Sequence, residues 1–311
     1  MNNPLPMPRI FAALLSAWLI AAPDPAAAQA RVKENVVYGM YSGLALLMDV
    51  HYPEEPNGHG VLYIRGSGFH APLGLDAQPL KAARNERMTS LLDAGYTVFA
   101  INHRAAPRFR YPAAHQDAVR AMRFVRHHAQ DFGIDADRIG AVGSSSGGTL
   151  ALALGVIDDF PPATDASAVG NTSSKAQAVV ALAPPTDLAL MINSWEGAVD
   201  LVASYMGAPV YSDTGEGGLE TELELDYRMA SPISHVDRDD APCLLIHGDA
   251  DLVVPFTQSE AFTDAMQDAE GAVQLLRVPG AGHRLPTGVD GPEAMQLLKA
   301  MTDWLDLHLI K

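Results

Sequence analysis

Short apolar runs alternate with longer stretches of helical periodicity through most of the chain. Runs of about five apolar residues suit strands buried on both faces, and the stretches between them are long enough for helices that cross back over a sheet. The alternation therefore predicts an α/β fold, with a mainly parallel twisted sheet covered by helices on both faces. The first run is expected to pair antiparallel at the sheet edge. Strand-like runs begin at residues 44, 61, 96, 138, 176, 243 and 273, and helices are expected at about 84–93, 112–131, 146–157, 256–269 and 291–309.

The segment 193–235 interrupts this alternation. Its middle is acidic and rich in glycine, and it contains no clear strand. A connection of this length between core strands usually has a functional role. We therefore predict a small cap insertion at about 193–235, within one α/β domain of residues 31–311.

The first thirty residues have the pattern of a secretory signal peptide. Arg9 precedes the apolar run IFAALLSAWLIAA, and the small residues of PDPAAAQA follow it. The run is too short to cross a bilayer as a helix. We expect cleavage after Ala30 and a secreted or periplasmic protein without a stable membrane anchor; an uncleaved N-terminal anchor is the alternative.

Acidic residues outnumber basic ones, 37 to 21, for a formal net charge of −16. This charge argues against nucleic acid or an anionic membrane surface as a partner. The single cysteine, Cys243, lies in the apolar run CLLIHG and cannot form an internal disulfide. We expect its side chain to be a small buried hydrophobic group.

Three consecutive serines lie between Gly143 and Gly147. An apolar run precedes them and a helical pattern follows, which is the strand–turn–helix context of a G-x-S-x-G nucleophile elbow. Ser145 is the central residue and the predicted nucleophile. The backbone N–H of Ser146 opens the helix and is a predicted oxyanion donor, whereas the side chains of Ser144 and Ser146 are expected to be bystanders.

A serine nucleophile needs a base and an acid that orients the base. Asp251 and His283 each follow a predicted strand, at the sheet edge where open parallel sheets gather their active sites. Asp249 competes with Asp251 but is expected only to stabilise the turn. His247 ends a strand and is expected to make a structural hydrogen bond. His283 is preferred as the base because it alone follows the last strand in a loop beside glycine; its rivals are His70, His103, His115, His235 and His247.

The loop after the second run, RGSGFH, is expected to complete an oxyanion hole. Backbone N–H groups aimed at a developing negative charge stabilise the transition state of acyl transfer. Ser67 and Gly68 are the candidate donors from this loop, beside Ser146. Arg65 is expected to pair with a nearby carboxylate, or alternatively to favour anionic substrates.

These motifs resemble those of bacterial α/β-hydrolase esterases, in the hormone-sensitive-lipase-like and the feruloyl and acetyl-xylan esterase-like (BD-FAE-like) groups. The resemblance implies a carboxylic-ester hydrolase that needs no metal or cofactor, with Ser145, Asp251 and His283 as its triad. The chain departs from the pattern at Ser144, where such esterases carry aspartate, and at Arg65, which begins the loop that is HGGG in those esterases. The similar stretches are YGMYSGLALLMDVHYP, GSSSGGTLAL, ASPISHV, IHGDADLVVPFTQSEAF and VPGAGH.

The stretch NHRAAPRFRYPAAHQDAVRAMRFV also looks like the Y-R-L-A-P segment of such esterases. An ion pair between Arg104 and Asp117, with a structural role, is expected there. Short-chain or carbohydrate-linked esters are the expected substrates. Two other functions stay open, namely a peptidase of the prolyl-oligopeptidase type and a non-catalytic secreted binding protein on a hydrolase scaffold.

Overall fold

The structure is a computed structural model that describes residues 32–74, 80–158, 167–192, 194–195, 197–209, 221–286 and 292–311. The predicted signal peptide and residues 210–220 of the predicted cap lie outside these ranges. None of the helices in the described ranges combines the length and the apolar character of a membrane-spanning segment.

Eight strands in the described residues form one sheet, in the order β1-β2-β4-β3-β5-β6-β7-β8. The strands from β4 to β8 along this order pair in parallel. Strand β2 pairs antiparallel with both of its neighbours, β1 and β4. The strands are β1 (Val32–Tyr41), β2 (Leu44–His51), β3 (Gly60–Ile64), β4 (Thr97–Ile101), β5 (Ile139–Ser144), β6 (Ala178–Leu182), β7 (Cys243–Gly248) and β8 (Val273–Val278).

The predicted mainly parallel sheet is confirmed, with one correction at its edge. The run from residue 44 does pair antiparallel, but β1 and not this run is the edge strand. Strand β1 was not among the apolar runs, although the similar stretch YGMYSGLALLMDVHYP implied a hairpin that includes its second half. Its hydrophobic alternation is broken, because its register with β2 shifts between Lys33 and Val36 and again between Val37 and Gly39. Such bulges bend an edge strand and interrupt its side-chain alternation.

The helices cover both faces of the sheet, as predicted. Side chains of α2, α4 and α8 join one hydrophobic core, and those of α1 and α9 join the other. Every residue of α4 is buried, as expected for a helix that is apolar on all sides. The helices are α1 (Glu86–Asp93), α2 (Ala113–His127), α3 (Ala129–Phe132), α4 (Ser146–Val156), α5 (Leu188–Met191), α6 (Ala198–Met206), α7 (Glu222–Ala230), α8 (Thr257–Asp268) and α9 (Pro292–Leu305); a 3₁₀ turn (Pro232–His235) follows α7, and a π-helical turn (Asp306–Ile310) follows α9.

Within the predicted cap, α6 packs against the loop that follows β3. The ring of Tyr205 stacks on Phe69, with centroids 4.1 Å apart. A Cβ on Gly68 would lie 3.1 Å from the side chain of Leu201. Helix α6 thus contacts the predicted oxyanion loop. The cap as a whole stays a prediction, since part of it lies outside the described residues.

Candidate active site

Ser145 lies on a sharp turn between β5 and α4. Its backbone has φ of 52° and ψ of −129°, an unfavourable conformation for a residue with a side chain. The turn is this tight only because its flanks are glycines: a Cβ on Gly143 would lie 2.0 Å from the Gly147 carbonyl oxygen, and one on Gly147 would lie 2.2 Å from that of Ile64. The strand–turn–helix context predicted around Ser145 is therefore present.

The structure brings Ser145, His283 and Asp251 into one hydrogen-bonded chain. His283 Nε2 lies 3.0 Å from Ser145 Oγ, and His283 Nδ1 lies 2.7 Å from Asp251 Oδ2. The Asp251 side chain is fully buried, whereas that of His283 is 22% exposed. The three residues follow β5, β8 and β7, whose carboxyl ends share one edge of the sheet, so residues distant in sequence meet there.

Asp249, the competing acid, has a different role. Its carboxylate accepts hydrogen bonds from the backbone N–H of Gly280, at 2.6 Å, and from Nε of Arg277, at 2.8 Å. It therefore fastens the turn after β8, as expected, and its described hydrogen bonds do not include one with His283.

The surroundings of Asp251 favour its ionised form. Burial alone would raise the pKa of this carboxyl, but hydrogen bonds from His247 and His283, and from the N–H groups of Val254 and Val253, outweigh burial and hold the pKa well below its usual range. The two backbone bonds go to Oδ1, at 2.9 Å and 2.8 Å. Asp251 is thus an oriented anion behind His283.

The serines on either side of Ser145 are not bystanders, and that prediction is wrong. Ser144 Oγ accepts the N–H of Gly66 at 3.3 Å, and Ser146 Oγ accepts the N–H of Ser67 at 2.9 Å. Strands β3 and β5 are adjacent, so the loop after β3 crosses the elbow closely; a Cβ on Gly66 would lie 2.9 Å from that of Ser145. Both flanking hydroxyls therefore hold the loop.

The predicted oxyanion donors lie on this loop and at the start of α4. Gly68 has φ of +62°, and Ser146 is the first residue of α4. The Ser67 N–H donates to the Ser146 hydroxyl, and this hydrogen bond competes with donation to an oxyanion. The donor roles of Ser67, Gly68 and Ser146 stay predictions.

The two predicted ion pairs have different outcomes. Arg104 and Asp117 form a buried pair at 2.7 Å, with side chains 6% and 1% exposed. The Arg104 guanidinium also lies 4.0 Å from the ring centroid of Tyr41, which supports the structural role. Arg65, by contrast, is exposed, and in the described part of the chain it pairs with no carboxylate. The expected pairing of Arg65 is thus not observed.

His247 makes the hydrogen bond expected of it, but one of its partners escaped prediction. Its Nε2 lies 3.2 Å from Asp251 Oδ2, so the carboxylate is shared by two histidines. The sequence signal for this contact is the spacing of four residues between His247 and Asp251, which lie on either side of the end of β7. Strand-end spacing alone does not reveal how the loop folds back.

A sequence model of the BD-FAE family matches residues 48–266, a range that includes Ser145 and Asp251 and ends before His283. The chain is 31% identical to esterase LipQ of Mycobacterium tuberculosis over 222 residues, which make up 70% of this chain and 49% of LipQ; it thus spans about half the length of that relative. It is 28% identical to an ethyl acetate hydrolase of Pseudomonas putida over 255 residues, 81% of this chain and 74% of that protein.

Solved structures show the same similarity. A truncated carbohydrate esterase from gut microbiota superposes with a TM-score of 0.68 and 30% identity, over 90% of this chain and 97% of the other. The family match covers more than two thirds of the chain and agrees with its sheet and elbow. The chain therefore belongs to the BD-FAE family of α/β-hydrolases.

Proposed function

We propose that this protein is a serine carboxylic-ester hydrolase that forms an acyl-enzyme at Ser145. The main support for this proposal is the hydrogen-bonded chain from Ser145 Oγ through His283 to Asp251. The names of LipQ, of the ethyl acetate hydrolase and of the carbohydrate esterase support ester hydrolysis as the reaction.

In the first step, Ser145 Oγ attacks the ester carbonyl carbon while its proton passes to Nε2 of His283. Asp251 accepts the Nδ1–H of His283, which fixes the ring tautomer and stabilises the imidazolium. The carbonyl oxygen becomes an oxyanion, for which the N–H groups of Ser146, Gly68 and Ser67 are the proposed donors.

The intermediate then collapses, the bond to the alkoxy oxygen breaks, and the alcohol leaves with the proton held on His283. A water molecule next gives its proton to His283 and attacks the acyl carbon. Collapse of this second intermediate releases the carboxylic acid and returns the proton to Ser145. No electron transfer and no co-reactant other than water enter this cycle.

Turnover of p-nitrophenyl acetate tests the assignment. We expect Ser145→Ala to lose turnover almost completely while it keeps the fold, because the nucleophile alone is removed. Ser234→Ala, at an exposed serine in the 3₁₀ turn, is the matched control and should match the wild type. Full activity in Ser145→Ala would remove Ser145 from the mechanism.

The substrates we propose are short-chain or carbohydrate-linked esters. Acetyl, butyryl, octanoyl and feruloyl esters, together with acetylated xylan, would rank the acyl and alcohol groups. A peptide amide in the same panel separates an esterase from a peptidase of the prolyl-oligopeptidase type. Absence of turnover and of covalent labelling would instead favour the binding-protein alternative.

We also propose that the protein acts after export. The support is the signal-peptide pattern of residues 1–30. Amino-terminal sequencing of the protein recovered from the periplasm or the medium should start at Arg31. A mature protein that retains Met1 would contradict this.

A further inference from the structure

His247 lies at the end of β7, directly behind the proposed triad acid. Its side chain is fully buried, and its Nε2 lies 3.2 Å from Asp251 Oδ2 and 2.9 Å from the carbonyl oxygen of Val254. Its Nδ1 lies 2.7 Å from the hydroxyl of Ser259 in α8. Both ring nitrogens therefore have partners, and one of these partners is the carboxylate that orients His283.

The partners define which nitrogen carries the hydrogen. A backbone carbonyl can only accept, so the Nε2 that faces Val254 must be a donor. The same N–H is shared with the carboxylate of Asp251. Ser259 is fully buried, and the described hydrogen bonds give its hydroxyl no partner other than Nδ1 of His247. Donation from the hydroxyl to Nδ1 matches the tautomer of the ring that carries its hydrogen on Nε2.

We propose that His247 is a positioning residue for the triad: its Nε2–H holds Oδ2 of Asp251 in line with His283 and withdraws part of the carboxylate's charge, while Ser259 fixes the tautomer. The proposal rests on the esterase function proposed above. His247 itself acts only through Asp251 and meets no substrate.

The charged and titratable groups around His247 support this role. The hydrogen bonds from His247 and His283 both lower the pKa of Asp251 against its burial. On the neighbouring strand, Arg277 is bound to Asp249 at 2.8 Å. Arg277 is the register partner of His247, and the ring of Phe256 lies near both, with its centroid 5.2 Å from the guanidinium carbon and 5.6 Å from the imidazole centroid. Among the described charged groups, Asp251 is the one that is hydrogen-bonded to His247.

Loss of the His247 donor should make Asp251 a more basic acceptor. The carboxylate would stay beside His283, because Val253 and Val254 hold its other oxygen, but Oδ2 would lose the donor that keeps it in line. It would then stabilise protonated His283 more strongly, so the acid limb of the kcat/KM profile moves to higher pH. A change in one charge-assisted hydrogen bond corresponds to a shift of about 0.5 to 1 pH unit, or about three- to tenfold in rate on that limb.

The variants His247→Leu and His247→Gln separate donation from packing. Leucine removes the donor, whereas the glutamine amide can reach the position of Nε2 and donate in its place. We expect the midpoint of the acid limb to move to higher pH in His247→Leu, and by a smaller amount in Ser259→Ala. In His247→Gln the midpoint should return toward the wild-type value. Thr263→Val is the matched control, because it removes a buried hydrogen bond to the Ser259 carbonyl without touching the triad.

Two readouts keep this test independent of the proposed function. The pH profile uses p-nitrophenyl acetate, and NMR titration of the His283 ring needs no turnover. An acid limb and a His283 titration that stay unchanged in His247→Leu, while the melting temperature falls, would show that His247 only packs and would overturn the proposal. A His247→Gln variant with the same pH profile as His247→Leu would also overturn the proposal.

If the wild type hydrolyses no ester, the esterase proposal fails, and the NMR titration of His283 still tests the coupling between His247 and His283. Should His247→Leu not fold, His247→Gln and Ser259→Ala decide it.

Discussion

Ser146 uses its side chain and its backbone in different ways. Its hydroxyl accepts the N–H of Ser67, while its own N–H is a proposed oxyanion donor. In Ser146→Ala, the N–H of Ser67 has no hydrogen bond of about 1 kcal/mol to give up before it donates to the oxyanion. We therefore expect kcat to rise by about two- to fivefold. Steady-state kinetics with p-nitrophenyl acetate measures this. A tenfold fall would contradict this and show that the loop position held by the Ser146 hydroxyl matters more than the released donor.

At the same scale, Asp251 should link stability to pH. Burial opposes the ionised carboxylate, but the hydrogen bonds outweigh burial and lower the pKa of Asp251 in the folded protein. Its stabilising effect is therefore complete above the unfolded value of about 3.9 and is lost as pH falls toward the folded value. We expect Asp251→Asn to unfold at lower urea concentration than the wild type at pH 6, and the difference should shrink at about pH 3. A difference that is equal at both pH values would contradict this linkage.

The same substitution tests the orienting role of the acid. The asparagine side chain would present an amide where His283 needs an acceptor, which favours the wrong tautomer, so kcat should fall by about 10³ to 10⁴. Circular dichroism at pH 7 checks that the variant is folded. A fall of less than tenfold would argue against Asp251 as the triad acid.

At the scale of elements, the elbow depends on the close passage of β5, α4 and the loop after β3. A Cβ on Gly147 would lie 2.2 Å from the Ile64 carbonyl oxygen, and backbone cannot give way as a flexible side chain can. We expect Gly147→Ala to lower the melting temperature by several degrees or more and to abolish turnover. Gly282→Ala is the control, because its nearest neighbour lies 3.8 Å away. Thermal unfolding of the two variants compares them, and equal stability would contradict the tight elbow.

The elements themselves were largely predictable from the sequence. Strands β3 to β7 are buried along their whole length, apart from the end of β5 at Ser144, so each appears as a continuous apolar run. The edge strand β1 was not predicted separately, because its bulges remove the alternation. The meeting of Ser145, Asp251 and His283 was predictable from their places after strands. The contacts of Ser144, Ser146 and His247 were not, since they depend on how neighbouring loops fold over one another.

At the scale of the whole molecule, an exposed arginine at the active-site edge contrasts with a net charge of −16. Arg65 precedes Gly66, which lies against Ser145, and it pairs with no carboxylate in the described residues. We expect Arg65→Gln to lower kcat/KM for an ester with a carboxylate on its acyl chain by about two- to fivefold, as an exposed charge contributes about 1 kcal/mol or less. The neutral ester of equal length should be unaffected, and added salt should reduce the difference. Equal changes for both esters would exclude charge recognition by Arg65.

A parallel sheet brings Ser145, Asp251 and His283 together, and we propose that their contact makes Ser145 nucleophilic. The most direct measurement is peptide mapping by mass spectrometry after reaction with a fluorophosphonate. We predict one modified residue per chain, at Ser145, with labelling lost in Ser145→Ala and strongly slowed in a His283 variant. Modification at Ser144 or Ser146, or labelling that does not depend on His283, would contradict the roles proposed for Ser145 and His283.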